Sequence, residues 1–322
     1  ESKNYNMDGF MTFSDVIGEY NNLSQVDISG WNLASLTNAS RMFAKSNIKI
    51  PLSLSTPNLE NMSGIFSEAR TFLDNNNTEH VDYVPNVSYG NNPILAWNTS
   101  KVTDMSEMFK RSRCIFNLSN INTDAVTDMH SMFEEALILY NKDNYCDTTN
   151  LFYNISSIEQ MSVTNVVDMM RMFKNCVIGN NEPNTNTFTL NLSYWNTGRV
   201  ENMTEMFYWD KNQWEDQSSS PEPVLNPVFA TDISGFNTYR VKYFTKMFYT
   251  YDNIYDPYET GADESEEIRR AGGDVSRWNT SSALDMSYMF YNGKAKGYST
   301  FNTDFVTNMA YMFYKADIHD NL

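Results

Sequence analysis

The carboxylates best placed for chemistry lie in one acidic, tyrosine-rich stretch, YTYDNIYDPYETGADESEE, at residues 249–267. Ca²⁺ binds carboxylate oxygens, and tyrosines beside carboxylates also suit contact with a glycan or another protein. The alternative is a solvated surface loop, the commoner fate of a charged run. The candidate Ca²⁺ ligands are Asp252, Asp256, Glu259, Asp263 and Glu264. No other metal and no other cofactor is predicted.

Catalytic motifs are missing from the sequence. Its three histidines, His80, His130 and His319, are far apart and do not follow a zinc-binding spacing. No GxSxG, P-loop, GxGxxG or HExxH motif occurs. DNNNTEH at 74–80 lacks the central Gly and the terminal Glu of an EF-hand loop. The sequence therefore predicts a protein that is not an enzyme and has no catalytic residues.

The cysteines and the glycosylation sequons leave several alternatives open. Cys114, Cys146 and Cys176 form an odd set, so one disulfide with a free or intermolecular thiol, or three reduced thiols, would both fit. Asn98 and Asn279 fill a repeated turn position and are expected to face inward, unmodified. The glycosylation candidates, in presumed insertions or on an outward strand face, are Asn76, Asn86, Asn117, Asn154 and Asn191.

Composition narrows the classes of partner. The net charge is −17, from 23 basic and 40 acidic residues, so the surface repels a phosphate backbone and an anionic membrane. No apolar run reaches eighteen residues, which argues against membrane insertion. At 41% hydrophobic residues the chain is expected to fold.

A thirteen-residue motif that recurs along the chain organises the rest of the sequence. WNTSKVTDMSEMF at 97–109 returns as WNTGRVENMTEMF at 195–207 and WNTSSALDMSYMF at 278–290. Counted from the Trp as position 0, apolar residues occupy positions 0, 5, 8, 11 and 12. Spacings of three and four predict one or two helical turns. Alternation in FTLNLSY at 188–194 predicts a preceding short strand, and the Asn at position 1 predicts a tight turn.

Nine copies of the motif occur, with a minimal period of 23 to 24 residues. One such unit cannot bury its apolar face alone, so neighbouring units must stack. We predict an α/β repeat solenoid, a leucine-rich-repeat-like stack of short strands and short helices with long insertions on one edge. Residues 1–27 would form an N-terminal cap or pre-repeat segment, and residues 28–322 about nine repeats ending at the start of a tenth strand. The predicted core residues are Trp31, Phe43, Trp97, Met105, Phe109, Phe133, Phe173, Trp195, Phe207, Phe236, Phe248, Trp278, Phe290 and Phe313.

Units of the form D-I-S-x-W-N-T-S-x-V-x-x-M-x-x-M-F resemble the 26-residue repeats of bacterial surface proteins, the BspA-like leucine-rich-repeat family. The resemblance covers roughly residues 26–318, apart from the insertions. It implies a surface-exposed solenoid used for structure or adhesion, and it supplies no catalytic residue.

Two functions remain open on this reading. The first is a non-enzymatic extracellular or cell-surface protein, structural or adhesive, with self-assembly into a filament as one form. Its partners would be other protein or glycan surfaces, or further copies of itself joined head to tail. The alternative is an intracellular solenoid that binds protein partners.

Overall fold

The computed structural model describes every copy of the Met-Phe motif and leaves most of the presumed insertions outside. The described residues are 30–45, 55–69, 97–112, 118–138, 156–178, 190–210, 232–251 and 271–318. Each repeat unit is referred to below by the Phe at its position 12.

Parallel backbone hydrogen bonds join successive units in chain order. In the Phe109 unit, the N–H groups of Met105 and Phe109 donate to the carbonyls of Asp128 and Met132, at 3.0 and 2.9 Å. Parallel bridges at position 7 repeat this pairing along the described units. The bridging residues, in order, are Asn38, Asn61, Asp104, Asp128, Asp168, Asn202, Tyr243, Asp285 and Asn308. The units therefore lie side by side as consecutive rungs.

The helical turns predicted at positions 5 to 12 are wrong for the described units. The chain there makes successive tight turns, such as Met108 N–H to Met105 C=O at 3.4 Å and Lys110 N–H to Glu107 C=O at 3.0 Å. Glu107 and Arg111 have positive φ, 54° and 55°. A left-handed residue every fourth position ends each turn, and the freed N–H groups bond to the next unit. Among the described residues, α-helical assignment is confined to 156–159.

From the Phe133 unit onward, a short parallel strand follows the Met-Phe motif of each described unit, and one further strand precedes Trp278. Strand β1 (Leu137–Ile138) pairs with β2 (Val177–Ile178), and β3 (Trp209–Asp210) pairs with β4 (Thr250–Tyr251). A three-stranded sheet has the order β5 (Gly272–Asp274), β6 (Lys294–Lys296) and β7 (Asp317–Ile318), and a 3-10 helix spans Tyr298–Thr300. All of these pairings are parallel, as stacking of like units requires.

The core is a column of phenylalanines at position 12. Consecutive rings lie 5.4 to 6.0 Å apart between centroids and no more than 17° from parallel. Buried residues at positions 0, 5, 8 and 11, among them Trp97, Val102, Met105 and Met108, surround the column. Offset stacking of aromatic rings and the polarisable Met side chains favour this packing.

Two of the predicted core residues are less buried than the rest. Trp31, in the first described unit, is 40% exposed, so its assignment to the core is wrong. Phe313 is partly buried and packs against the core from the last described unit. The backbone ladder and the Phe column lead us to propose that the units form one continuous solenoid.

Candidate functional site

Asn98 and Asn279 are both exposed, so the prediction that they face inward is wrong. The Asn98 side chain accepts the backbone N–H of Ser100 at 3.1 Å, and that of Asn279 accepts Ser281 N–H at 3.0 Å. These bonds close Asx turns. The inward residue is the following threonine, because side chains alternate in direction along extended backbone.

The threonines at position 2 form the buried ladder instead. Thr197 Oγ1 donates to the carbonyl of Asn237 at 3.0 Å and accepts the Asn237 N–H at 2.8 Å. Thr99 makes the same pair of bonds to Asn122, both at 2.8 Å. One hydroxyl thus satisfies two backbone groups of the next unit, which would otherwise be buried without partners.

Ion pairs occupy one face of the middle units at positions 10 and 13. Glu205 Oε2 lies 2.7 Å from Lys174 Nζ and 2.9 Å from Arg171 Nε, and Glu205 Oε1 lies 3.9 Å from Lys246 Nζ. Burial raises the pKa of Glu205, but the hydrogen bond and charge of Lys174 and those of Arg171 outweigh it, so the pKa is lowered overall. Glu205 therefore stays ionised and bridges three units.

Tyrosines replace these ions at position 13 in the later units. The rings of Tyr208, Tyr249, Tyr291 and Tyr314 stack at centroid distances of 4.9, 4.6 and 4.9 Å. Burial raises the pKa of Tyr249 to about 12. Its hydroxyl is therefore neutral near pH 7 and can both donate and accept. Tyr288 and Tyr311 stack on each other beside these four rings, with their centroids 5.1 Å apart. The six tyrosines together are referred to as the tyrosine column.

The Phe173 unit lacks the aromatic-Asn-Thr start. Met161, Ser162 and Val163 occupy positions 0, 1 and 2, so the unit has neither the Asx turn nor the threonine hydroxyl. A cleft of about 440 Å³ opens at this break and is referred to as the 160s cleft. Its walls come from two adjacent units: Glu159, Gln160, Met161, Ser162, Val163 and Thr164 on one side and Asn191, Tyr194 and Asn196 on the other.

Hydrogen bonds fix the two walls of the 160s cleft to each other. Glu159 Oε1 accepts the Asn191 N–H at 2.7 Å, and the Glu159 carbonyl accepts Trp195 Nε1–H at 3.2 Å. Tyr194 stands at the mouth with 85% of its surface exposed. Gly235 of the next unit has no side chain, and a Cβ there would lie 1.7 Å from the Ser193 carbonyl oxygen. The close approach of the Phe207 and Phe248 units therefore depends on the glycine at position 235.

Of the three histidines, His130 alone lies within the described residues. Its Nδ1 lies 2.8 Å from Asp128 Oδ1. The Asp128 hydrogen bond raises the pKa of His130, with burial acting the other way. Asp128 is the bridging residue of its unit, His130 follows two residues later, and both are half-buried, so their pairing is a contact between neighbouring side chains. No group of three or more His, Cys, Asp or Glu within the described ranges could hold a metal ion.

Several predicted site residues lie outside the described residues. These are the acidic candidates Asp252, Asp256, Glu259, Asp263 and Glu264, the sequons at Asn76, Asn86, Asn117 and Asn154, and the cysteines Cys114 and Cys146. Cys176 is described; it is a buried free thiol, and burial raises its pKa. Asn191 is half-buried, and its Oδ1 accepts the N–H and hydroxyl of Ser193 at 3.0 and 2.6 Å.

Sequence reasoning overlooked the 160s cleft and the tyrosine column. The signal for the cleft was the replacement of the aromatic-Asn-Thr start by Met161-Ser162-Val163. The signal for the column was a Tyr directly after the Met-Phe motif in four consecutive units, 208, 249, 291 and 314.

Comparison with known families gives one result. Four segments match the family model described as "Mycoplasma protein of unknown function, DUF285": residues 2–80, 81–184, 146–260 and 262–321. Together these matches span nearly the whole chain. The chain belongs to the DUF285 family. Repeated matches along one DUF285 chain agree with its internal repetition. No curated protein and no solved structure shows significant similarity to it. The described part contains no helix long and apolar enough to cross a bilayer.

Proposed function

We propose that this DUF285 protein is a non-enzymatic structural or adhesive protein that works outside the cell or on its surface. The tyrosine column is the observation that carries the proposal. Tyr311 and Tyr314 are 58% and 44% exposed, and the six rings line one face of four consecutive units. Tyrosine is enriched at protein interfaces, since it offers apolar area and a hydroxyl with few rotatable bonds.

The repeat geometry supports a structural form of this function. Each unit bonds to the next through backbone groups and like side chains, so the contact does not depend on a special partner sequence. A unit from a second copy can use the same contact. A head-to-tail contact that does not close produces a filament. Resemblance to BspA-like surface repeats supports the cell exterior as the place of action.

Accessibility to protease on intact cells tests the location. An antibody to the chain follows its loss when cells of the source organism are treated with a protease that cannot enter them. The proposal predicts digestion without lysis, while a cytoplasmic marker protein survives. Protection until the cells are lysed would favour the alternative, an intracellular protein-binding solenoid.

Sedimentation velocity over a wide concentration range tests the filament form. The proposal predicts that the average mass of the 1–322 chain rises with concentration and that elongated particles are visible by electron microscopy. A variant carrying Tyr311→Ser and Tyr314→Ser separates the routes of association, because it alters the tyrosine column and leaves the backbone ladder intact. A stable monomer at high concentration would remove self-assembly and leave adhesion to other surfaces.

A further inference from the structure

We propose that the 160s cleft binds the terminal rings of an uncharged glycan. This inference deepens the proposed adhesive function and rests on it for the expectation that the ligand is met outside the cell. The cleft lies between the Phe173 unit, which departs from the repeat pattern, and the regular Phe207 unit, so its lining is particular to this position in the stack. Its volume of about 440 Å³ is in the range of about 300–1,000 Å³ common for small-ligand sites.

Tyr194 supplies an apolar platform at the mouth of the cleft. It is 85% exposed, more than any other large hydrophobic side chain that the structure describes. The tyrosines of the column stack on one another, whereas Tyr194 makes no ring or cation contact with a described residue. Its ring face is therefore free to cover the C–H face of a pyranose, a contact that removes apolar surface from water.

The polar groups around Tyr194 match the hydroxyls of a sugar. Glu159 uses Oε1 for the Asn191 N–H, and no described residue bonds to its Oε2. The Oδ1 atoms of Asn191 and Asn196 accept Ser193 and Gly198 N–H groups, and their amide NH₂ groups donate to no described acceptor. A carboxylate that accepts and two amides that donate suit a ligand whose hydroxyls do both.

Charge decides which class of glycan fits. Glu159 forms no ion pair within the described residues, and the chain carries a net charge of −17. An acidic sugar would face repulsion from both, so the ligand is neutral. The inference also requires an unmodified Asn191, since an attached glycan would fill the cleft it lines. This sequon therefore has a different role from the one that the sequence alone predicted for it.

Titration calorimetry on the unglycosylated 1–322 chain tests the proposal with defined sugars. The neutral probes are lactose, maltose, mannobiose and N,N′-diacetylchitobiose, and sialyllactose is the acidic comparison. We expect binding of at least one neutral disaccharide and much weaker binding of sialyllactose. Tyr194→Ala should weaken the neutral ligand at least about fivefold through the lost ring contact. Glu159→Gln should also weaken it.

The control variant is Tyr239→Ala, which removes another exposed tyrosine (39%) from the next unit. It should bind like the unchanged chain. Tyr194→Ala and Tyr239→Ala should keep the melting temperature of the unchanged chain because both side chains are exposed, and Glu159→Gln should keep it because glutamine retains an oxygen that can accept the Asn191 N–H. No heat with any neutral probe, equal affinity for sialyllactose, or unchanged affinity in Tyr194→Ala would each overturn the cleft assignment. The protease experiment on intact cells is independent of these results, so the two proposals fail separately.

Discussion

At the scale of single residues, one hydroxyl per unit decides whether the backbone can be buried. Thr238 is fully buried, and its Oγ1 donates to the carbonyl of Asn279 at 3.0 Å. Thr197 shows the reciprocal bond as well, from the N–H of Asn237. Valine has nearly the same shape as threonine but has no hydroxyl. It would leave backbone groups without partners, which is costly in a dry interior.

Thr197→Val should lower the free energy of unfolding by about 1–3 kcal/mol, the cost of leaving a buried polar group unpaired. Urea denaturation followed by circular dichroism measures the change. The control is Thr103→Val, at an exposed threonine whose hydroxyl lies 3.5 Å from the Glu60 carbonyl. That variant should differ from the unchanged chain by less than about 0.5 kcal/mol. If Thr197→Val and Thr103→Val lower the free energy of unfolding equally, burial of the Thr197 hydroxyl gives it no special part in stability.

Ionisation of Glu205 couples stability to pH. Its pKa in the folded chain lies below the value of 4.5 of the free side chain, despite burial, because Lys174 and Arg171 favour the carboxylate. Protonation therefore favours the unfolded chain. The stabilisation is present above pH 4.5 and is lost as the pH falls through the folded-state pKa.

Glu205→Gln should remove this part of the pH dependence. The variant should be less stable at pH 7, because Lys174 and Arg171 lose their partner, and its stability should fall less steeply below pH 4.5. Glu201→Gln is the control, since the Glu201–Lys242 pair is 42% exposed on both sides and exposed pairs contribute little. Thermal unfolding between pH 3 and 7 measures both variants. Parallel curves for Glu205→Gln and the unchanged chain would contradict the assignment.

At the scale of the element, the unit depends on residues in left-handed conformation. Lys246, at position 10, has φ 55°, and Gly64 has φ 58° at the same position of its own unit. Left-handed backbone costs an ordinary residue roughly 1–2 kcal/mol, less for asparagine and most for a β-branched side chain. The N–H of Lys246 makes no helical hydrogen bond. It donates to the Ser287 carbonyl of the next unit at 2.9 Å.

A pair of substitutions at Lys246 isolates this backbone requirement. Lys246→Asn and Lys246→Val both remove the charge and its contacts with Tyr249 and Tyr288. Only valine opposes positive φ, so it should be less stable than asparagine by about 1–2 kcal/mol. The comparison uses urea denaturation at one pH. If valine equals asparagine, the residue is not left-handed in solution.

The same element shows what the sequence could and could not predict. The repetition, the unit boundaries and the apolar positions of Val102, Met105 and Met108 follow directly from the sequence, because burial requires apolar side chains. The local conformation did not follow, since spacings of three and four suit either a helix or a series of turns. Positive φ at Glu107 carries no sequence signal, as only Gly64 marks this position with a glycine. The sequence Asn98-Thr99 likewise does not show which of the two side chains faces the core.

At the scale of the whole molecule, stability is a sum over neighbours. The Phe173 ring stacks on the rings of the two adjacent units, Phe133 at 5.5 Å and Phe207 at 5.8 Å, and lies 6.1 Å from Trp195, which also belongs to the Phe207 unit. The backbone of the Phe173 unit bonds to the Phe133 and Phe207 units in the same way. In such an array a defect should loosen adjacent units before distant ones.

Hydrogen exchange of Phe173→Ala tests this central claim most directly. The substitution removes a fully packed ring and should cost about 3–5 kcal/mol. Exchange followed by mass spectrometry should then show protection lost mainly in 118–138, 156–178 and 190–210, while 30–45 and 301–318 keep the protection of the unchanged chain. Equal loss of protection across all units would contradict a linear stack.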